Sequence, residues 1–371
     1  MESQLRNLQD RKHIPGLDGL RGVAVLFVIT YHYSSSFHYV FAWGRSSVDL
    51  FFVLSGFLMT GLLTDSLPRK DYFSHFYRNR ILRIFPLYYL ALIVFFTALL
   101  LSGNEHEKPL YFYRHYGWSY LIFVQNWTHL FFGVPVDKTL VHFWSLAVEI
   151  QFYIMWPFLI YEVRNMKKLQ AILLSIIVLA LVFRIFVYFH SSGSYDQVVR
   201  IYNSFCRLDC FAAGALISLI GRVSSKIKTK SFIFLCWLSI LLILAGMFAT
   251  NNFTLKSSFF VLFGYSLVAI FYASIVYLSL GGRCKFLDQV LQNRQLLFCG
   301  KISYGLYIFH WPIRLIAGSR LNAWSQSLFP GHEMAILILT LFVCLIMSFL
   351  VSTISYYYFE SYFLRLKKVT I

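Results

Sequence analysis

The feature that most constrains this chain is the recurrence, from one end to the other, of apolar runs long enough to cross a lipid bilayer. Such runs occupy 17–37, 47–65, 82–101, 143–160, 170–189, 205–221, 231–249, 259–280, 297–317 and 334–358. Their lengths lie near the roughly 20 residues that a helix needs to traverse about 30 Å of hydrocarbon. With 58% of its 371 residues hydrophobic and 13% charged, a water-soluble fold would leave large apolar surfaces against water. The expectation is an all-α integral membrane protein with about ten transmembrane helices. The aromatic stretch 110–132 (LYFYRHYGWSYLIFVQNWTHLFF) predicts a short interfacial or re-entrant segment, because Trp, Tyr and His favour the membrane boundary; an eleventh span is the alternative.

A formal charge of +17 would suit a nucleic-acid binder, but its distribution does not. Arg69, Lys70, Arg78 and Arg80 fall in one connection; Arg164, Lys167 and Lys168 in another; Arg222, Lys226, Lys228 and Lys230 in a third; Arg365, Lys367 and Lys368 follow the last run. All lie on the side of the N-terminus, the positive-inside pattern. Both termini are therefore expected in the cytoplasm, with anionic membrane lipid as the partner of the excess charge and no nucleic acid. Residues 1–16 are polar and no small-residue cleavage site follows the first run, so no cleaved signal peptide is expected. Few residues follow the last run, and the expectation is one membrane domain over 1–371 without an appended soluble domain. No internal repeat is visible, which speaks against a transporter built from two related halves.

The informative letters are the ionisable residues inside these runs, which are costly in lipid and mark sites or pathways. Arg21 and His32 lie eleven residues apart in the first run. At 100° and 1.5 Å per residue they share one stripe, about 16 Å apart along the axis. The alternative for the pair is a snorkelling arginine and a histidine bonded to a neighbouring helix. Arg80 and Arg83 share a face at the inner end of the third run; paired guanidinium groups suit phosphate, although an ordinary positive flank reads the same in isolation. Glu149 lies in the fourth run with no cation beside it in its own helix, and must be protonated, paired or solvated by a cavity. His142 precedes it on nearly the same face. His310, in the ninth run, matches His32 in depth; its alternative role is interhelical hydrogen bonding. Asp49 reads as interfacial, Arg207 with Asp209 as a structural pair, and Arg184 and Arg314 as snorkelling outward. The six cysteines give no disulfide framework, and metal-ligand spacings are absent, so no metal is expected.

These groups form two poles: Arg21, Arg80 and Arg83 towards the inside, His32, Glu149 and His310 near or above the midplane. A ligand with a phosphorylated head and a long thin arm fits both. Coenzyme A has that shape; a phospholipid or polyprenyl phosphate fits as well.

At these residues the chain resembles the acyltransferase-3 family of polytopic membrane proteins. The likeness rests on IPGLDGLRGVAVLFVITYH (14–32), SVDLFFVLSGFL (47–58), RNRILRIFPLYY (78–89), HFWSLAVEIQFYIMWP (142–157), RLDCFAAGAL (207–216) and ISYGLYIFHWP (302–312), in the family's order. The resemblance implies an O-acyltransferase of the bacterial inner membrane. It would move an acyl group, most often acetyl, from cytoplasmic acyl-CoA to a hydroxyl of an extracytoplasmic glycan such as O-antigen, exopolysaccharide, capsule or peptidoglycan. The family's arginine-then-histidine motif falls on Arg21 and His32, its paired arginines on Arg80 and Arg83, and its glutamate on Glu149. Without a hydrolase-like extra domain, direct transfer or relay to a separate glycan-assembly protein is implied. His32 is then the general base, or carries the acyl group itself. Glu149 orients an imidazole or stabilises the imidazolium, and Ser55, Tyr304 or a backbone amide serves the oxyanion. Acetyl-CoA is the expected donor, held by Arg21, Arg80 and Arg83. Two other classes fit the intramembrane charges: a flippase for a lipid-linked glycan, and a non-catalytic membrane partner in envelope assembly.

Overall fold

The computed structural model describes residues 14–33, 42–101, 108–190, 203–223, 229–252, 257–328 and 330–367. Lys226, Lys228 and Lys368 of the basic clusters lie outside the described residues. The described residues are helical, with no strand among them. Each of the ten apolar runs coincides with a helix: α1 (Pro15–Tyr33), α2 (Ser47–Ser66), α3 (Tyr72–Leu101), α4 (Trp144–Glu162), α5 (Met166–His190), α6 (Leu208–Val223), α7 (Thr229–Ala249), α8 (Tyr265–Leu278), α9 (Ser303–Leu328) and α10 (Glu333–Ile354).

Seven of these, α2, α3, α4, α5, α7, α8 and α10, are part of helices long and apolar enough to cross a membrane among the described residues. The other three depart from that pattern for visible reasons. Asp18, Arg21 and His32 lower the hydropathy of α1. Helix α6 has 16 residues. The second half of α9 is rich in Ser, Asn, Gln and Arg. The chain is a multi-pass α-helical membrane protein. The segment 110–132 holds no helix of spanning length: it is cut into Lys108–Tyr116, Trp118–Leu121 and Gln125–Phe132. Tyr88 and Tyr89 of α3 donate to the carbonyls of Tyr120 and Leu121 at 2.8 and 2.7 Å, and the Gln151 amide of α4 donates to Phe123 O at 2.8 Å. These bonds take up backbone carbonyls that the broken helices leave open.

Burial sorts the helices into two shells. In α2, α4 and α8, 61% of the apolar window is buried, against 22% in α3, α5, α7 and α10, so the first three form the inside. The outer helices show rows of bare hydrophobic side chains, such as Leu174, Val178, Leu179, Val182 and Phe186 on α5, as a lipid-facing surface does. Inside, helices meet at small residues. A Cβ on Gly56 of α2 would lie 2.0 Å from Phe211 O, and one on Gly214 of α6 would lie 1.9 Å from Val53 O. Only glycine permits that approach of backbones. A similar contact seats α1 on the short helix Arg294–Lys301, where Gly300 lies against Asp18 O.

The expectations for Asp49, Arg184, Arg207 and Asp209 need correction. Residues two apart on a helix face different ways, so Arg207 does not pair with Asp209. It bonds Asp49 of α2 at 3.0 Å, while Asp209 bonds Arg184 of α5 at 2.8 Å. All four side chains are buried, Arg184 wholly so rather than snorkelling. Ser266 of α8 donates to Asp209 at 2.9 Å, and Arg184 donates to Cys206 O at 2.6 Å. In a membrane interior such charges persist only when paired and hydrogen-bonded. Here they tie α2, α5, α6 and α8 together.

Candidate functional site

Helices α1, α2, α3, α4 and α9 surround an elongated cavity of about 790 Å³ of empty space, its mouth included. Arg21, Arg80 and Arg83 line it together, although they come from two helices. They are close enough to interact electrostatically, Arg83 and Arg80 both acting on Arg21. Asp18, one turn before Arg21, accepts a bond from its Nη1 at 3.1 Å. The Arg80 Nε–H is buried without a hydrogen-bond partner among the described residues. Its guanidinium lies 5.9 Å from the Tyr153 ring centroid. A buried unpaired guanidinium donor is costly unless something accepts from it, and an anionic ligand at this end would do so.

Glu149 lines the same cavity, but its partners are hydroxyls rather than an imidazole. Ser55 Oγ and Tyr153 OH both donate to Glu149 Oε1 at 2.5 Å, and lie 3.0 Å from each other. Tyr153 is four residues after Glu149 and so stands on the same face of α4. That spacing was open to sequence reasoning, which passed over it. Beyond this polar waist the cavity lining reaches Ser145 and Tyr307. Their hydroxyls bond each other, and Tyr307 OH donates to His142 O at 2.8 Å.

His32 and His310 lie beyond that closure, outside the cavity lining. They meet each other: His32 Nδ1 is 2.7 Å from His310 Nε2. The proton positions follow from the partners. His310 Nδ1 lies 2.9 Å from both Leu306 O and Tyr307 O. Carbonyls only accept, so Nδ1 carries the proton and His310 Nε2 presents a lone pair. His32 must then donate from Nδ1, which leaves the lone pair of the neutral His32 ring on Nε2. Trp311 flanks His32, with ring centroids 4.7 Å apart. Tyr307 bridges the two parts of the site, lining the cavity on one side and lying 5.9 Å from the His310 ring on the other. His142 is turned away from Glu149, its Nε2–H donating to Ile308 O at 3.3 Å, with its ring 5.4 Å from that of His310. The six residues singled out from the sequence thus fall into two sets, Arg21, Arg80, Arg83 and Glu149 in the cavity, and His32 with His310 next to its closed end. His32 of α1 meets His310 of α9, and Arg21 of α1 lines the cavity together with Ser303 and Tyr307 of α9.

A family model described as an acyltransferase domain (Acyl_transf_3) matches residues 14–357. The chain belongs to the acyltransferase-3 family. Among curated relatives, YrhL of Bacillus subtilis (strain 168), provisionally named a peptidoglycan O-acetyltransferase, is 31% identical over 338 residues, covering 83% of this chain and 50% of YrhL. The peptidoglycan O-acetyltransferase OatA of Listeria monocytogenes serovar 1/2a is 28% identical over 326 residues, covering 82% of this chain and 50% of OatA. SACOL0978 of Staphylococcus aureus (strain COL), provisionally named an O-acetyltransferase, is 27% identical over 333 residues. The chain spans about half the length of these curated relatives. No solved structure matches it. The acyltransferase-3 match contains the cavity arginines, Glu149 and both histidines. It ends before Glu360, which sequence reasoning passed over, and Lys367, which it read only as part of a basic flank; both interact electrostatically with Arg83.

Proposed function

We propose that this protein is a membrane O-acetyltransferase that uses cytoplasmic acetyl-CoA and esterifies a hydroxyl of an envelope glycan on the other side of the bilayer. One observation carries the reading: a single cavity in an acyltransferase-3 protein has three guanidinium groups at one end and closes, at the other, beside a histidine pair. The names of the relatives favour a peptidoglycan-type sugar as acceptor.

Arg21, Arg80 and Arg83 would hold the phosphates of the donor, and the unpartnered Arg80 Nε–H fits that role. Glu149, Ser55 and Tyr153 offer acceptors and donors to an amide-bearing arm lying along the apolar walls. The donor supplies an acyl group activated as a thioester. With the Ser145–Tyr307 contact parted so that the thioester reaches the histidine pair, His32 Nε2 takes the proton of the acceptor hydroxyl as its oxygen bonds the acyl carbon and the carbon–sulfur bond breaks. The imidazolium then returns the proton to the leaving sulfur. His310 fixes the tautomer that makes Nε2 the base. The acyl-histidine route would use the same lone pair.

The test is transfer of labelled acetyl from acetyl-CoA to glycan by membranes that contain the folded protein. His32→Ala should lower the rate by about 10²–10⁴-fold. Undiminished transfer would overturn the proposal, and glycan translocation without consumption of acetyl-CoA would replace it with a flippase.

A further inference from the structure

The C-terminal segment, beyond the family match, brings charge to the basic end of the cavity. Helix α10 runs into a π-helical segment, Ser355–Glu360, and then into α11 (Ser361–Leu366). Both pack against α3, which carries Arg80 and Arg83. A π turn holds one more residue than an α turn and so re-aims the side chains that follow. Glu360 is thereby buried, accepts from Ser355 Oγ at 3.1 Å, and interacts electrostatically with Arg83. Gly305 of α9 makes room for it: a Cβ there would lie 3.2 Å from Glu360 Oε1. Lys367, half-buried at the end of α11, faces Arg83, Arg80 and Arg21, in that order of influence.

Lys367 is outside the cavity lining, but the packing of α11 on α3 brings it within electrostatic reach of the three arginines that line it. Asp18 bonds Arg21, and Glu360 acts on Arg83. Lys367 itself is opposed by the three arginines. Such a gathering of like charges is unfavourable in itself and becomes favourable when a polyanion sits among them. We propose that Lys367 is a fourth cationic contact of the donor site, closing its phosphate end from the C-terminal side. This rests on the acetyl-CoA reading above.

Burial, and then the neighbouring arginines, lower the Lys367 ammonium to about 7. A bound polyanion favours the charged amine, so binding takes up a proton above that pH. Affinity should then fall as pH rises from 7, by up to about tenfold per pH unit.

The experiment measures KM for acetyl-CoA and for S-acetylpantetheine, which lacks the phosphates, together with equilibrium binding of labelled CoA to the purified full chain. Lys367→Gln should raise the KM for acetyl-CoA and weaken CoA binding about tenfold, while kcat and the KM for S-acetylpantetheine stay put. Lys367→Arg, always charged, should keep tight binding and abolish its pH slope. An unchanged KM in Lys367→Gln, or an equal rise for both donors, would overturn the proposal while leaving the enzyme reading intact. Absence of CoA binding and of acetyl transfer in the unmodified protein would overturn the reading, and this proposal with it.

Discussion

In the mechanism proposed for His32, catalysis turns on which ring nitrogen carries the proton, and a neighbouring residue decides it. His310 is locked by two backbone carbonyls into the tautomer that accepts from His32 Nδ1, and in that mechanism it is a positioning residue. His310→Ala should cost about 10²-fold in kcat, the scale of a misplaced reacting group, with little change in the KM for acetyl-CoA. His310→Gln, which retains an acceptor, should recover part of the loss. An equal loss in both variants would mean that the 2.7 Å contact only packs. The residues themselves were legible in the sequence, because charge and imidazole stand out against an apolar background. Their partners were not. Glu149 meets Ser55 across two helices and Asp49 meets Arg207 across 158 positions of chain, and no local pattern encodes such pairings. Where the spacing was local, as with Glu149 and Tyr153, the signal was present.

At the scale of elements, each apolar run met a helix, and seven of those helices are long and apolar enough to span among the described residues, because lipid dictates a minimum apolar length. Hydropathy placed their ends less well. The ninth run begins at 297, yet residues 294–301 form a separate short helix and α9 starts at Ser303. Nor does hydropathy register the π segment before α11, since a π turn has no composition of its own. What holds the elements at their separations is small-residue contact. Gly56→Ala or Gly214→Ala should destabilise the protein by about 1–3 kcal/mol, because the new methyl meets a backbone carbonyl that cannot swing aside. Gly61→Ala, whose nearest neighbour is the mobile end of Ser218 at 3.1 Å, should cost clearly less. Thermal unfolding midpoints in detergent, compared across the three variants, check the ranking. The buried Asp49–Arg207 and Asp209–Arg184 pairs act at the same scale, fixing α2 and α5 to α6.

Taken whole, the molecule sets a cationic grip at one end of a narrow cavity and a histidine pair past the other, with Tyr307 between them. The proposed function puts the grip on the cytoplasmic face, and its chemistry then moves an acetyl group, not the donor, across the bilayer. The central claim is tested most directly by sidedness. Inverted membrane vesicles expose the cytoplasmic face and enclose a glycan acceptor; labelled acetyl-CoA is added outside. The account expects label to accumulate on the enclosed glycan, and to vanish with His32→Ala. Label appearing only when donor and acceptor share one compartment would contradict it.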